Sequence, residues 1–259
     1  MFLRVWAPLL RRLDPVWLAS TQMEADEIRA VFPWARTVIQ IDSRGDDPRA
    51  DVVASQRRAR FVFIGRICEK KNLRMALQAL KLVTSKVEFD IYGPLEDSDY
   101  WADCRRLIDD LPANVRSSYQ GHLPSDQVQD TFARYDGFIF PTLGENFGHV
   151  IAESLSAGCP VLCSQNTPWT GMLNSGGGIA LAGLEAQVWA DEIDRRAAQS
   201  SKVRESMKRN ALVAYVVWRG GLTTFSAMEY VLDELSRDGS DLGSDHPDRR
   251  ASRRKRFRS

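Results

Sequence analysis

The sequence predicts an α/β fold built on a parallel sheet with helices on both faces, and three observations carry that expectation. From about Arg60, apolar runs of strand length alternate with helix-length stretches whose apolar positions fall on one face. Glycines stand where strands end, at Gly93-Pro94 and Gly121-His122, the side on which open parallel sheets bind ligands. The chain has 259 residues, 44% of them hydrophobic, enough to bury a large core.

The first 55 residues offer an amphipathic helix from Leu3 to Leu13 and a short strand from Val16 to Ala19. A helix follows with Thr21 as N-cap and Glu24 at the capping-box position, then a strand from Thr37 to Ile41. Four such elements are too few for an independent domain, and an unpaired Thr37–Ile41 strand would invite aggregation. Residues 56–220 read as one Rossmann-like domain. Its strands are Phe61 to Ile64, Val87 to Tyr92, Val115 to Tyr119, Phe138 to Phe140, Pro160 to Cys163 and Gly178 to Leu181. Its helices are Asn72 to Leu82, Ser98 to Asp110, Asp126 to Arg134, one beginning near Phe147, Leu184 to Gln199, and Lys202 to Trp218. Gly176-Gly177-Gly178 precedes a strand instead of a helix, so it is a turn and not a dinucleotide loop. A C-terminal helix is expected over 221–236 and a disordered basic tail over 237–259.

The formal charge of +1 conceals an asymmetry, because seven of the 35 basic residues lie in the acid-free segment 249–259. The rest carries 28 basic against 34 acidic residues, a balance that argues against a nucleic-acid partner. The tail is either a solvated terminus or a surface for anionic lipid. Arg4, Arg11 and Arg12 interrupt the N-terminal apolar run, so a cytoplasmic protein is expected, and the lipid reading of the tail would add peripheral contact at the inner face of the membrane. Cys68, Cys104, Cys159 and Cys163 lack zinc-type spacing and read as reduced thiols.

The most informative stretch is PTLGENFGHVIAESLSAGCPVLCS, residues 141–164. A strand runs into Pro141-Thr142 and a glycine-bearing loop, and a helix then begins near Phe147-Gly148-His149. Such a helix start offers backbone N–H groups and a positive dipole end to an anion, and Gly148 permits close approach. Glu145 and Glu153 flank it eight positions apart, about 12 Å along a helix at ~1.5 Å per residue, a span suited to hydroxyl-rich groups on either side of a phosphate. A second cluster, Gly65-Arg66 to Lys71-Asn72, follows the first strand of the domain. Arg66 is suited to grip phosphate oxygens through paired N–H bonds, and Lys71 to add a point charge, with Lys70 as competitor for that role.

These elements resemble the glycosyl transferases group 1 family, retaining enzymes of the GT-B fold, over about residues 15–235. The resemblance rests on the Glu-x7-Glu pair, on Pro-Thr, Glu-Asn-Phe-Gly and Ala-Gly-x-Pro-Val around it, and on the Gly-Arg…Lys-Asn element. It implies that Glu145 binds hydroxyls of the donor hexose, Glu153 the ribose, and the Phe147-Gly148-His149 backbone the pyrophosphate. Gly93, Gly121 and His122 are candidates for a nucleobase slot, or plain turns. Thr167-Pro168-Trp169 is similar to a turn in some bacterial members, with Trp169 open between core residue and ligand platform. The implied activity is hexosyl transfer from a nucleotide-sugar to a glycan or lipid-linked acceptor in cell-envelope or exopolysaccharide assembly. Arg66, Lys71 and the helix start can do a divalent metal's charge work, and the donor half is read as lacking an Asp-x-Asp triplet, so no metal or other cofactor is expected. Residues 1–55 resemble only the last part of the family's N-terminal, acceptor-side domain, which raises the expectation of a partner chain. The alternatives are a nucleotide-sugar-binding subunit without activity of its own, and a nucleotide-sugar epimerase.

Overall fold

The structure, a computed structural model, describes residues 2–40, 47–49 and 58–221. The basic tail, and the helix expected beyond Gly221, lie outside the described residues.

Six parallel strands form the central sheet: β3 (Ala59–Ile64), β4 (Val87–Tyr92), β5 (Val115–Gly121), β6 (Gly137–Phe140), β7 (Val161–Ser164) and β8 (Gly178–Leu181), in spatial order β5-β4-β3-β6-β7-β8. The burial of each strand follows from its place. β6 and β7 are buried at every position, because central parallel strands are covered on both faces, and they are continuous apolar runs in sequence. β4 alternates buried and half-buried residues, while the edge strand β5 is buried only at Val115. Around the sheet lie α3 (Leu73–Leu80), α4 (Ser98–Asp109), α5 (Val128–Phe132), α6 (His149–Ser156), the short α7 (Thr170–Met172), α8 (Ala186–Ala197) and α9 (Ser201–Gly220).

Relative to chain order, this is the doubly wound arrangement 3-2-1-4-5-6, in which the winding reverses between β3 and β6. Loops at the C-terminal ends of those two strands diverge and leave a crevice. The two clusters singled out in the sequence are the loops after β3 and after β6.

Residues 2–40 form α1 (Phe2–Leu13), β1 (Val16–Ala19), α2 (Gln22–Val31) and β2 (Arg36–Ile39). β1 and β2 pair in parallel as a separate two-stranded sheet, so β2 is paired on one side. The Thr21 cap is present, accepting from the Glu24 amide at 3.2 Å, but the Glu24 carboxylate reaches the amide and hydroxyl of Ser20 instead of closing on Thr21. Cys104, Cys159 and Cys163 are buried and all four cysteines are free. Burial pushes the thiol of Cys159 up to about 11 and that of Cys163 to about 12, which keeps both protonated and inert at neutral pH.

Two helix starts differ from expectation. Asn72 does not begin α3: it follows a 3-10 turn (Glu69–Lys71) with a left-handed backbone, φ 56° and ψ 40°. The helix expected from Asp126 opens as a 3-10 turn (Ser125–Gln127), and only Val128–Phe132 is α-helical.

Gly93 is fixed by packing. The loops after β3 and β4 are laced by Gly65 N to Tyr92 O (3.1 Å) and Ile67 N to Pro94 O (2.9 Å), and a Cβ on Gly93 would stand 1.8 Å from the Gly65 carbonyl oxygen. Its φ of +142° is also one that side-chain-bearing residues avoid. Gly93→Ala should therefore lower unfolding stability by about 3 kcal/mol or more, as expected when backbone strain and a steric clash combine. Urea denaturation checks this, and a loss below about 1 kcal/mol would contradict the close approach.

Candidate functional site

A cavity of about 440 Å³ opens at the switch point between β3 and β6. Gly65, Arg66, Lys70 and Lys71 line one side, and Phe140 and Glu145 to Val150 the other. Ser20, just beyond the end of β1, also lines it, so the N-terminal unit contributes to its wall. Of the residues expected at the site, the structure brings together Arg66, Lys71, Glu145, Phe147, Gly148 and His149.

The two loops are stitched to one another before any ligand is considered. Leu143 N donates to Lys70 O at 2.9 Å, and the Asn72 side-chain amide donates to Pro141 O at 3.0 Å. The Thr142 hydroxyl lies 3.1 Å from Lys70 O and 3.0 Å from the Glu145 carboxylate. It has one proton to give, and the charged acceptor makes the stronger bond. Behind the loop, Ser164 Oγ donates to Thr142 O at 2.5 Å and Glu145 N to Asn166 O at 3.1 Å.

Across this seam the Lys71 ammonium is hydrogen-bonded and ion-paired to Glu145 Oε1, with both side chains nearly buried at 13% and 9% exposure. The same ammonium sits 5.5 Å from the centre of the Phe140 ring, a cation–π contact. Arg66 is held differently. Its guanidinium bonds Glu96 at 2.6 Å with both side chains about half exposed, a type of pair worth about 0–1 kcal/mol. Arg66 can turn toward an incoming anion at little cost, whereas Lys71 must share its charge with Glu145. Lys70 is exposed on the same wall.

The opposite wall is the start of α6. Gly148 is its cap, left-handed at φ 84° and ψ 56°, and a Cβ there would meet Ile151 Cδ1 at 3.2 Å. Helical residues begin at His149, so the first amides of α6 have no partner four residues back. The exposed His149 ring leans on Phe147, 4.6 Å between centres, leaving the backbone as the element of this segment shaped for an anion.

Glu145 lies outside α6, so the axial 12 Å spacing from Glu153 does not describe the pair. Glu153 is half-buried and is not among the residues lining the cavity, although it shares a helix face with His149 and Val150, which are. Gly93, Gly121 and His122 lie outside the lining as well. Ser20, Thr142, Asn72 and Asn146 were not singled out as site residues. Asn72 was readable, since asparagine tolerates the left-handed backbone that a tight turn before a helix requires. Ser20 could not be found without tertiary structure, because it comes from a different sheet. Its amide and hydroxyl donate to Glu24 at 2.7 and 2.6 Å, and these bonds, with one from the Asn146 side chain, hold the Glu24 carboxyl below its usual value. Contrary to the reading that the donor half lacks one, an Asp-x-Asp triplet occurs at Asp97-Ser98-Asp99, where the Asp97 carboxylate caps α4 by accepting from the Asp99 and Tyr100 amides.

A second cavity of about 240 Å³ backs onto the first. Ser20 and Phe147 belong to both, and Pro168, Trp169, Met172 and Trp218 belong to the second. Trp169 is 3% exposed, which decides for core packing over a ligand platform.

The family model "Glycosyl transferases group 1" matches residues 46–213, and the chain belongs to that family. It is 30% identical over 123 residues to the O-antigen chain mannosyltransferase B of Escherichia coli, covering 46% of this chain and 32% of that one. It is 26% identical over 153 residues to the phosphatidylinositol N-acetylglucosaminyltransferase GPI3 subunit of Saccharomyces cerevisiae, covering 57% and 32%. The structure of Anabaena Alr3699/HepE in complex with UDP and glucose superposes with a TM-score of 0.69 at 18% identity, covering 91% of this chain and 66% of that one. The fold is thus that of the GT-B glycosyltransferases. The matched region spans about a third of the length of these two curated relatives.

Asn72 offers a direct test of the seam. Asn72→Gly keeps the left-handed backbone and loses only the bond to Pro141, whereas Asn72→Ala loses the bond and adds backbone strain. Glycine should cost about 1 kcal/mol and alanine about 2 to 3 kcal/mol of unfolding free energy. Denaturant melts giving the reverse order would show that the turn does not depend on this conformation.

Proposed function

We propose that the cavity between the loops after β3 and β6 receives the diphosphate of a nucleotide-sugar. On this reading the chain is the donor half of a retaining glycosyltransferase, moving a hexose to a glycan or lipid-linked acceptor in cell-envelope or exopolysaccharide assembly. The observation that carries this reading is the facing of Arg66, Lys70 and Lys71 across one cavity by the glycine-capped start of α6. Both walls favour negative charge, one through cations and the other through backbone N–H groups and the helix dipole.

Breaking a glycosyl–phosphate bond leaves positive charge on the sugar ring and negative charge on the departing phosphate, so the barrier falls where fixed dipoles and cations already face that phosphate. Lys71, Arg66 and the Gly148 end of α6 serve that purpose, and no metal is assigned a part. Glu145 accepts sugar hydroxyls beside the scissile bond, and Glu153, on the α6 face that carries His149 and Val150, accepts from the ribose. Retention of anomeric configuration is inferred from the family resemblance alone. The N-terminal unit supplies two strands, and acceptor binding is assigned to structure beyond the described residues, in further sequence or in a partner chain. A nucleotide-sugar-binding subunit is the second reading, favoured by the similarity to a chain that is itself described as a subunit, the GPI3 subunit of Saccharomyces cerevisiae. The acid-free basic segment 249–259 would place either form at the inner, anionic face of a membrane.

Arg66→Ala and Lys71→Ala should each weaken UDP or GDP binding by about 1.5 to 3 kcal/mol, the range for a hydrogen bond to a charged group. Calorimetric titration decides it, and unchanged affinity in both variants would remove the phosphate assignment. Glu145 should behave in the opposite way toward free nucleotide. Glu145→Gln releases Lys71 from its carboxylate and lowers the repulsion felt by a diphosphate, so UDP or GDP should bind more tightly. The extra affinity conferred by an attached sugar should shrink, because an amide replaces the carboxylate that accepts its hydroxyls. Weaker binding of nucleotide and nucleotide-sugar by equal factors would overturn this division of roles.

A further inference from the structure

Trp169 comes from the loop after β7, is buried, and lines the second cavity but not the first. Its indole Nε1–H donates to the Phe147 carbonyl oxygen at 2.5 Å. That carbonyl and the Gly148 N–H are the two ends of one planar trans peptide and point in opposite directions. Gripping the oxygen therefore directs the Gly148 N–H away from the indole, and Gly148 lines the first cavity and not the second. The grip is itself braced. Trp169 N donates to Thr167 Oγ1 at 3.3 Å, and the indole packs edge-on to Phe147 (centres 5.5 Å, 64°) and against Trp218 (4.7 Å, 46°).

A left-handed glycine has wide freedom of rotation about its own backbone, and a peptide joined to it would otherwise sample several orientations. Here the same indole lies alongside Gly148, since a Cβ on that glycine would be in van der Waals contact with Trp169 Nε1 at 3.5 Å. A hydrogen bond to the carbonyl also polarises the shared peptide and makes its N–H a better donor. Preorientation of a donor matters most where the ligand is anionic, because the dipole must face the charge without reorganising.

Resting on the donor-site reading above, we infer that Trp169 is a positioning residue for the diphosphate. It acts through the Phe147 carbonyl to aim the Gly148 N–H at the phosphate, without touching the ligand. The expected signature is selective. Loss of the indole N–H should harm recognition of the phosphates and leave recognition of the nucleoside alone.

The test compares wild type with Trp169→Phe, and with a variant carrying benzothienylalanine at position 169, which keeps the bicyclic shape and replaces the N–H by sulfur. UDP, GDP, uridine and guanosine are titrated into each full-length protein by NMR, with thermal melts alongside. In both variants the Kd of the diphosphate bound by wild type should rise about tenfold, while that of its nucleoside changes by less than twofold. Should phenylalanine perturb the fold, the sulfur isostere still isolates the N–H. Unchanged diphosphate affinity in the isostere, or equal losses for nucleoside and diphosphate, would overturn the inference while the donor-site reading stands. If wild type takes up neither nucleotide, the reading and the inference fall together.

Discussion

The seam between the loops after β3 and β6 is the constraint on which the rest of the site depends. A doubly wound sheet separates its loops at the point where the winding reverses, so a crevice there follows from topology. A crevice alone has no fixed shape. Three contacts give it one: Leu143 N to Lys70 O, Asn72 to Pro141 O, and Lys71 to Glu145. All join segments some seventy residues apart in sequence, and each uses a group that the local chain leaves unsatisfied. The left-handed Asn72 makes this possible, because it turns the 3-10 segment away from α3 in time to present Lys70 and Lys71 to the neighbouring loop.

Charge is balanced rather than accumulated at the seam. A nearly buried ammonium without a partner would be costly, and Glu145 offsets that cost. On the donor-site reading proposed above, the same pairing would give the site a means of telling ligands apart. A diphosphate that took a share of Lys71 would leave Glu145 seeking donors, and sugar hydroxyls would supply them. A bare nucleoside diphosphate brings charge without those donors. Arg66, tied only by an exposed contact to Glu96, adds attraction that carries no such condition.

Much of this was legible in the sequence, for identifiable reasons. Central strands such as β6 and β7 announced themselves as unbroken apolar runs, and the helix after Gly148 by its periodicity and its glycine. Arg66, Lys71 and Glu145 were readable as a set only through their resemblance to the family's motifs, whose register alone separates Lys71 from Lys70. Glu153 was harder, because whether a helical residue reaches a cavity depends on how the helix is rolled against its neighbours. The Lys71–Glu145 pairing, the role of Ser20 and the Trp169 contact to Phe147 link distant segments with no periodicity to mark them. Trp169 shows the limit well: a core position and a ligand platform call for the same residue type, and only its burial in the folded chain separates them.

A crystal structure of the chain grown with UDP or GDP tests the central claim most directly. The account predicts both phosphates in the cavity between the two loops, with one phosphate oxygen on the Gly148 amide and another on Lys71, and with Arg66 turned from Glu96 toward the ligand. Nucleotide bound elsewhere, or phosphates in that cavity with the Lys71–Glu145 pair intact and neither Lys71 nor Gly148 in contact, would contradict it.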